Sequence, residues 1–310
     1  MILPAMTTGG RIVKELNMHV GIIGVGLMGH GIARNVLLKG GFGLSFLAHP
    51  GNQPVDELVS LGAHGCATPA DVAAASDVII ICVTGSPQVE AIVSGENGLL
   101  TGLKAGTVVV DCSTALPEST LRMGEVVKAG GGSYIDAPMT RTAKHAHEGT
   151  LNLLVGGDAA DLEKVGPVLA SFTEAVAHVG PLSHGHRLKL LHNYVSVGFM
   201  SLLAEAAAQA ADSGIDPQVF VDVLAQGGGA SVALERLAPY IVSGDRNGLP
   251  FFVSNAQKDI DYYRAMSEAA GAQNTIADGV SSALAGAVNG GHDQAYVPEL
   301  VNIFRKGGGV

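Results

Sequence analysis

The sequence predicts a two-part α/β protein: a doubly wound domain with a parallel sheet, followed by an all-helical domain. From residue 19 to about 181, short apolar runs alternate with helical segments, as in sheets covered by helices on both faces. A G-x-G-x-x-G sequence at 24–29 stands between the first apolar run and the first helical segment. After Gly180-Pro181 the strand pattern stops, and Ala/Leu-rich helical segments follow.

Strands are predicted at 19–24, 44–48, 77–83, 107–111, 132–137 and 151–156. Those at 77–83 and 107–111 are near-continuous apolar runs, typical of parallel strands buried on both faces. Helices are predicted at 28–38, 55–61, 87–93, 117–129 and 158–170, and then at 185–212, 217–226, 231–242, 255–270 and 274–289. We therefore expect a flexible leader over 1–18, a dinucleotide-binding domain over 19–181 and a helical domain over 182–310.

Composition excludes several classes of function. With 47% hydrophobic and 15% charged residues, the chain can build a large core. A net charge of −10 without a basic patch argues against nucleic-acid binding and favours a small-molecule partner. No apolar run reaches the roughly 20 residues that span a membrane. The three cysteines form no metal-ligand pattern, so we expect buried reduced thiols, no metal and a cytoplasmic protein.

The glycine sequence has the strand–turn–helix context that a dinucleotide site requires. Gly24 permits a tight turn, Gly26 allows the backbone to approach a pyrophosphate, and Gly29 allows close helix packing. The helix N-terminus then offers N–H groups to the phosphates. The predicted cofactor-binding residues here are Gly24, Val25, Gly26, Leu27, Met28 and Gly29. A plain strand–helix turn is the minor alternative.

The end of the second predicted strand should contact the adenosine ribose. Residues 46–50 (FLAHP) contain no acidic side chain to hold the 2′-hydroxyl of NAD. Ala48 leaves room there and His49 can face a 2′-phosphate, although no arginine strengthens the argument. We therefore expect NAD(P), with NADP favoured over NAD.

The long helix after residue 184 carries polar residues in an otherwise apolar stretch. Lys189, His192, Asn193 and Ser196 fall on one stripe, because spacings of 3, 4 and 7 share a helix face. Spacing alone leaves two interpretations open, a polar strip facing a ligand cleft or an incidentally polar surface. A lysine there can take a proton from an alcohol and return it to an alkoxide, and Asn193 can bind the substrate oxygen or hold the lysine.

Further short motifs follow the glycine turn in order. They are 82–90 (CVTGSPQVE), 111–114 (DCST), 136–138 (DAP), 149–151 (GTL) and 258–259 (KD). Together with Lys189 and Asn193, they resemble the β-hydroxyacid dehydrogenases, a family that includes 3-hydroxyisobutyrate dehydrogenase, tartronate semialdehyde reductase and sulfolactaldehyde reductase. The resemblance runs from His19 to about Ala270.

The resemblance implies a Rossmann domain followed by a helical domain, and a homo-oligomer (dimer or tetramer) built through the helical domain. It implies that Lys189 is the catalytic lysine and that Asn193 is the second of two asparagines beyond it. It also implies cofactor contacts from Val83, Thr84, Gln88, Thr114 and Lys258, and a substrate segment at 136–138 and 149–151 that adjoins Ser113.

Two departures from the family pattern concern the substrate. His192 stands where the family usually has its first asparagine. The segment after Asp-Ala-Pro is usually Gly-rich, but here it is Met139-Thr140-Arg141-Thr142. The Arg-Thr pair, like Ser196, resembles the sulfolactaldehyde reductase branch, where the pair meets a sulfonate. We therefore expect a small anionic substrate contacted by Thr140, Arg141, Thr142, His192, Ser196 and Ser113.

Three hypotheses compete for the function. The first is an NAD(P)-dependent oxidoreductase that interconverts a short 3-hydroxy acid and its semialdehyde. The second is an imine reductase on the same fold, which Lys189 disfavours because such enzymes typically lack that lysine. The third is a non-catalytic dinucleotide-binding module, which Lys189, Asn193 and Thr114 disfavour. 6-Phosphogluconate dehydrogenase shares the lysine but is considerably longer at its C-terminus.

Overall fold

The computed structural model describes residues 3–4 and 18–305, and the chain divides into two compact units. The first unit ends at Lys189 and the second begins at Leu190. Of the predicted leader, only Leu3, Pro4 and Met18 lie within the described residues. The leader and the domain boundary near 181 stay predictions.

One sheet in the first unit contains every named strand of the described residues. The strands are β1 Leu3–Pro4, β2 His19–Ile23, β3 Gly43–Leu47, β4 His64–Cys66, β5 Val78–Ile81, β6 Val108–Asp111, β7 Ser133–Asp136, β8 Met139–Thr140, β9 Leu151–Gly156 and β10 Thr173–Gly180. Their order is β1-β10-β9-β7-β6-β5-β2-β3-β4, and β8 pairs with β9. From β2 to β7 all neighbouring strands are parallel. The order β4-β3-β2-β5-β6-β7 is that of a doubly wound dinucleotide-binding sheet, which confirms the predicted fold class.

The sheet is not parallel throughout. β9 is antiparallel to β7, β10 is parallel to β9, and β1 is antiparallel to β10. Four strands were not predicted from the sequence: β1, β4, β8 and β10, which are short or lie outside the central strands. β10 (TEAVAHVG) is only partly buried and mixes Glu and His with small residues, so it lacks a continuous apolar run.

The helices of the first unit cover both faces of the sheet. They are α1 Leu27–Leu38, α2 Asp56–Ser60, α3 Pro69–Ala75, α4 Ser86–Ser94, α5 Leu99–Gly102, α6 Pro117–Ala129, α7 Ala143–Glu148 and α8 Ala159–Ala170. Successive residues of one strand enter two different cores: Ile80 packs in the core that includes α1, and Ile79 and Ile81 pack in the core that includes α3 and α4. Burial on both faces explains why these strands are uniformly apolar.

The second unit is helical. Its helices are α9 His184–Asp212, which begins in the first unit, α10 Pro217–Ala225, α11 Val232–Ser243, α12 Val253–Ala269, α13 Thr275–Ala287 and α14 Leu300–Ile303. Asp216 accepts hydrogen bonds from two N–H groups at the start of α10, which has Pro217 at its first position. Leu203, Leu237 and Leu284 contribute to the core of this unit. None of the described helices has the length and apolarity to cross a membrane.

Candidate active site

On one side, the turn after β2 packs tightly against backbone atoms of the protein. Its opposite side, at Gly26, has no protein atoms of the described residues near it. Gly24 has φ +97°, and a Cβ there would lie 2.1 Å from the carbonyl oxygen of Cys82. A Cβ on Gly29 would lie 1.9 Å from the carbonyl oxygen of Gly24, so the helix packs directly on the turn. A Cβ on Gly26 would have no heavy atom within 4 Å. The turn therefore has the form that a closely approaching pyrophosphate requires.

The N-terminus of α1 adds electrostatic attraction for an anion. Gly26 is its N-cap residue, and no side chain caps the helix. The first turn, which includes Leu27 and Met28, carries no acidic residue. Helix N-termini present N–H groups and a partial positive charge. The residues present therefore fit the phosphates of a dinucleotide.

The loop after β3 is linked to this turn by a residue that the sequence analysis did not identify. Asn52 donates a hydrogen bond to the carbonyl oxygen of Leu47 (2.9 Å), and its Oδ1 lies 3.4 Å from the N–H of Val25. Ala48 and His49 are exposed, and His49 Nδ1 accepts a hydrogen bond from a backbone N–H of the same loop. The loop residues 48–53 (AHPGNQ) contain no carboxylate.

The loops after β5 and β6 lie beside the glycine turn. Ile81 of β5 is the register partner of Ile23 of β2, so the segment at Val83 begins next to Gly24. The N–H of Val83 donates to Oγ of the buried Ser113 (3.1 Å). Thr84 and Gln88 are exposed, and Thr114 is half-buried. The predicted cofactor residues of the first unit thus follow the carboxyl ends of neighbouring strands, where doubly wound sheets bind ligands.

Asp136 joins the sheet to the start of α9. It ends β7 as the register partner of Asp111 and is fully buried. One carboxylate oxygen accepts the N–H of Ser183 (2.8 Å) and the other that of His186 (2.6 Å), so Asp136 caps α9 from a distant strand. Burial raises the pKa of Asp136, while His186 and these two N–H donors act in the opposite direction.

The residue before α9 shows how tightly this junction is constrained. Ser183 is buried and has φ +78°, a left-handed conformation that costs a non-glycine residue about 1–2 kcal/mol. Its N–H is held by Asp136, and the guanidinium Nε of Arg187 lies 3.3 Å from its Oγ. These contacts therefore fix the first turn of α9 against the end of β7.

Lys189 is half-buried in the second turn of α9 and is the last residue of the first unit. The other predicted residues of the stripe, His192, Asn193 and Ser196, lie on the same helix but belong to the second unit. The helix predicted over 185–212 is confirmed, with a start one residue earlier.

Within the second unit, Asp259 connects two predicted site residues. Asn193 is buried and donates to Oδ2 of Asp259 (2.6 Å), while Lys258 Nζ donates to Oδ1 (2.6 Å). His192 is exposed, with its Nδ1 3.0 Å from Oδ1 of Asn193, and Ser196 is half-buried. Asp259 thus holds both the asparagine amide and the lysine, a role that the sequence analysis did not assign.

Arg141 has contacts of its own that compete with the predicted substrate role. It adopts φ +78° after β8, and its Nη1 donates to the carbonyl oxygen of Thr150 (2.6 Å) and to the carboxylate of Glu174. Beside it, Thr140 is half-buried in β8 and Thr142 Oγ1 lies 2.9 Å from Nδ1 of His145. The substrate role of this segment stays a prediction.

The cysteines Cys66, Cys82 and Cys112 are free thiols. Burial raises the pKa of each, that of Cys82 to about 12. A thiol that stays protonated is a poor nucleophile, which agrees with the expected inert role.

His186 is the residue of α9 that the sequence analysis overlooked. It is fully buried and lies three residues before Lys189, so it extends the polar stripe by one turn toward the N-terminus. The same spacing argument that identified the stripe would have included it.

A glycine turn open toward a free helix N-terminus, at the point where a doubly wound sheet reverses its strand order, defines a dinucleotide-binding protein. Comparison with known proteins agrees. The NAD-binding domain of 6-phosphogluconate dehydrogenase matches residues 19–180, and the NAD-binding domain of NADP-dependent 3-hydroxyisobutyrate dehydrogenase matches residues 183–304.

Individual relatives cover most of the chain. 2-(Hydroxymethyl)glutarate dehydrogenase of Eubacterium barkeri is 36% identical over 76% of this chain and 77% of its own length. 2-Hydroxy-3-oxopropionate reductase of Escherichia coli is 35% identical over 79% of this chain and 82% of its own length. The crystal structure of 3-hydroxyisobutyrate dehydrogenase from Salmonella typhimurium superposes with a TM-score of 0.81 at 25% identity, covering 93% and 100% of the two chains. The chain belongs to the β-hydroxyacid dehydrogenase family of NAD(P)-dependent oxidoreductases.

Proposed function

We propose that the protein interconverts a short 3-hydroxy acid and its semialdehyde, with Lys189 as the general acid and base. The position of Lys189 carries this proposal. It lies in the second turn of α9, and the first turn of that helix is bonded to Asp136 at the end of β7 and to Ser113 beyond β6. The relatives named for 2-(hydroxymethyl)glutarate and 2-hydroxy-3-oxopropionate support the substrate class.

In this mechanism the chain supplies binding and proton transfer. The glycine turn would hold the pyrophosphate of a bound dinucleotide, whose nicotinamide ring would supply or accept the hydride. In oxidation the Lys189 amine takes the proton of the substrate hydroxyl, and in reduction its ammonium returns a proton to the forming alkoxide. We assign Asn193 to the substrate oxygen or the lysine, and Lys258 to the cofactor. Asp259 accepts hydrogen bonds from both side chains, so the positions of Asn193 and Lys258 depend on this one carboxylate.

The direct test is a substrate screen that follows NAD(P)H absorbance over small hydroxy acids, semialdehydes and cyclic imines. We expect turnover with a 3-hydroxy acid or its semialdehyde. Turnover of imines alone would favour the imine reductase hypothesis. Dinucleotide binding without turnover of any of these compounds would favour a non-catalytic module.

A preference for NADP over NAD follows from the exposed Ala48 and the lack of a carboxylate nearby. We expect the wild type to use NADPH at least as readily as NADH. Ala48→Asp should shift the preference toward NADH, because the new carboxylate repels a 2′-phosphate and can accept a ribose hydroxyl. The ratio of kcat/KM for the two cofactors measures this, with Ala48→Ser as the neutral control. A wild type that strongly prefers NADH would contradict the proposal.

We propose that Arg141, flanked by Thr140 and Thr142, binds the anionic end of the substrate, including a sulfonate where one is present. Its pair with Glu174 leaves that carboxylate largely exposed, and exposed pairs contribute little to stability. A substrate anion can therefore replace Glu174. Such a contact would use the guanidinium fork, which suits carboxylate and sulfonate groups.

Arg141→Ala should raise KM for an acidic semialdehyde about tenfold or more, because a hydrogen bond to a charged group contributes about 1.5–3 kcal/mol to binding. KM for a neutral aldehyde should change far less. Glu174→Gln, which removes only the competing carboxylate, should leave KM unchanged or lower it. Steady-state kinetics on both substrates measure the difference. Two results would show that the ion pair stabilises the fold instead: an equal rise in KM in both variants, or an equal effect of Arg141→Ala on the acidic and the neutral substrate.

We also propose that the protein forms a homo-oligomer, a dimer or tetramer. Leu191, Val195 and Leu202 of α9 are exposed by 46%, 66% and 63%. Their spacings of 4 and 7 place them on one helix face. An exposed apolar stripe of this kind is typical of a surface that another chain covers.

A further inference from the structure

His186 is a buried polar side chain that the mechanism above does not use. Its ring is fully shielded from solvent within the first unit, and its two nitrogens have different partners. Nε2 lies 3.1 Å from the carbonyl oxygen of Ser113, and Nδ1 lies 2.7 Å from Oγ1 of Thr120 on α6. Because a carbonyl oxygen only accepts, Nε2 carries the proton and donates it to Ser113.

The main chain of His186 is anchored as well. Its N–H donates to Oδ2 of Asp136 at 2.6 Å. The ring also lies between two buried carboxylates, with Nε2 4.0 Å from Asp111 and Nδ1 3.7 Å from Asp136. One residue therefore connects the first turn of α9 to β7, to α6 and to the segment after β6. Contacts in three directions leave the start of α9 little freedom to slide or rotate.

The contact with Ser113 reaches the cofactor side of the site. Ser113 precedes the predicted cofactor residue Thr114, and its Oγ accepts the N–H of Val83. A chain of hydrogen bonds thus runs from the loop at Val83 through Ser113 to His186. Lys189 follows His186 by three residues on the same helix.

We propose that His186 is a positioning residue, which fixes the turn carrying Lys189 against the Ser113–Thr114 segment and so sets the geometry of proton transfer. The inference rests on the proposed function of Lys189. A displacement of about 1 Å at a reacting group is enough to lower a rate on the order of 100-fold. The effect of losing His186 should therefore appear in the chemical step rather than in binding.

The test uses the full-length enzyme with three variants at this contact. His186→Phe keeps a planar ring but removes both hydrogen bonds. His186→Gln keeps one side-chain N–H donor for the Ser113 carbonyl. Thr120→Val removes the partner of Nδ1 with little change in shape, and with it the Oγ1 hydrogen bond to the carbonyl oxygen of Leu116 at the start of α6. His19→Phe is the matched control. His19 also lies in the first unit, and its ring also forms a hydrogen bond, to Ser45 Oγ (2.8 Å). It stands at the start of β2, whereas the glycine turn follows the other end of that strand.

The measurements are kcat, KM, the solvent deuterium isotope effect on kcat, the dissociation constant for NADPH and the melting temperature of the cofactor-free protein. His186→Phe should lower kcat on the order of 10- to 100-fold, with KM and the NADPH constant within about threefold, and the isotope effect should increase because proton transfer becomes limiting. His186→Gln should recover most of kcat. Thr120→Val should show a smaller loss in the same direction. His19→Phe should lower the melting temperature without changing kcat or the isotope effect.

Each alternative result overturns a distinct claim. If His186→Phe melts earlier but keeps kcat and the isotope effect, His186 only stabilises the fold. If His186→Phe fails to fold, the other two variants decide. The inference is overturned if both His186→Gln and Thr120→Val keep the wild-type kcat and isotope effect. If Lys189→Met keeps its turnover, the proposed function fails first. If Lys189→Met loses turnover but His186→Phe keeps a normal kcat, the inference about His186 is rejected and the proposed function stands.

Discussion

Replacing Lys189 by methionine should lower kcat on the order of 10²–10⁴-fold, the usual contribution of a general acid–base group. Methionine keeps much of the length and apolar stem of the lysine, so the half-buried position in α9 should remain filled. NADPH affinity should stay within a few-fold of the wild type. The glycine turn and the N-terminus of α1, where we expect the phosphates, do not include Lys189.

The control is Lys144→Met. Lys144 is also in the first unit, but its side chain is 79% exposed and its pair with Glu148 is long (3.9 Å). It should keep full activity. Steady-state kinetics and NADPH fluorescence titration measure both variants. A Lys189→Met enzyme that kept most of its kcat would show that another group transfers the proton.

Replacing Gly26 by alanine should abolish most dinucleotide binding and leave the fold intact. Gly26 has φ −77°, which alanine adopts readily, and its Cβ would meet nothing within 4 Å. Loss of stability should be about 1 kcal/mol or less, as for alanine at a helix N-cap. The new methyl group, however, would occupy the open side of the turn, where the pyrophosphate approaches. If it disrupts even one or two charged hydrogen bonds, each worth about 1.5–3 kcal/mol, affinity falls tenfold or more.

Gly279→Ala provides the matched control. Gly279 lies inside α13, and a Cβ there would also meet nothing within 4 Å. This variant should be more stable by about 0.5–1 kcal/mol, because alanine favours a helix interior, and should bind NADPH as the wild type does. Thermal denaturation and titration calorimetry separate the two effects. Normal NADPH affinity in Gly26→Ala would contradict the assignment of the turn.

The central strands and most helices were predictable because their sequence patterns are local. A strand buried on both faces is a continuous apolar run, as at Ile79–Ile81, where adjacent residues enter opposite cores. The glycine turn was predictable for the same reason, since backbone sterics restrict Gly24 and Gly29 to glycine. The peripheral strands β1, β4, β8 and β10 are short or mix polar and small residues, and they were not predicted.

The candidate active site divides in the same way. Lys189, Asn193 and Lys258 were predicted from helix spacing and family motifs, but their partners were not. Asp259 is adjacent to Lys258 in sequence, yet its second bond is to Asn193, 66 residues away. Arg141 was predicted to bind a substrate anion, and its bond to Glu174, 33 residues along the chain, was not predicted.

By itself the sequence determined the doubly wound fold, the helical second part, the glycine turn and the lysine-bearing helix, since each depends on residues within one element or one turn. Only the tertiary structure decided which side chains hold those elements together. Asp136 caps a helix that begins 48 residues later, and His186 meets Ser113 from 73 residues away. Such pairs depend on strand order and register, which place Asp111 beside Asp136, and no local pattern encodes a register between distant strands.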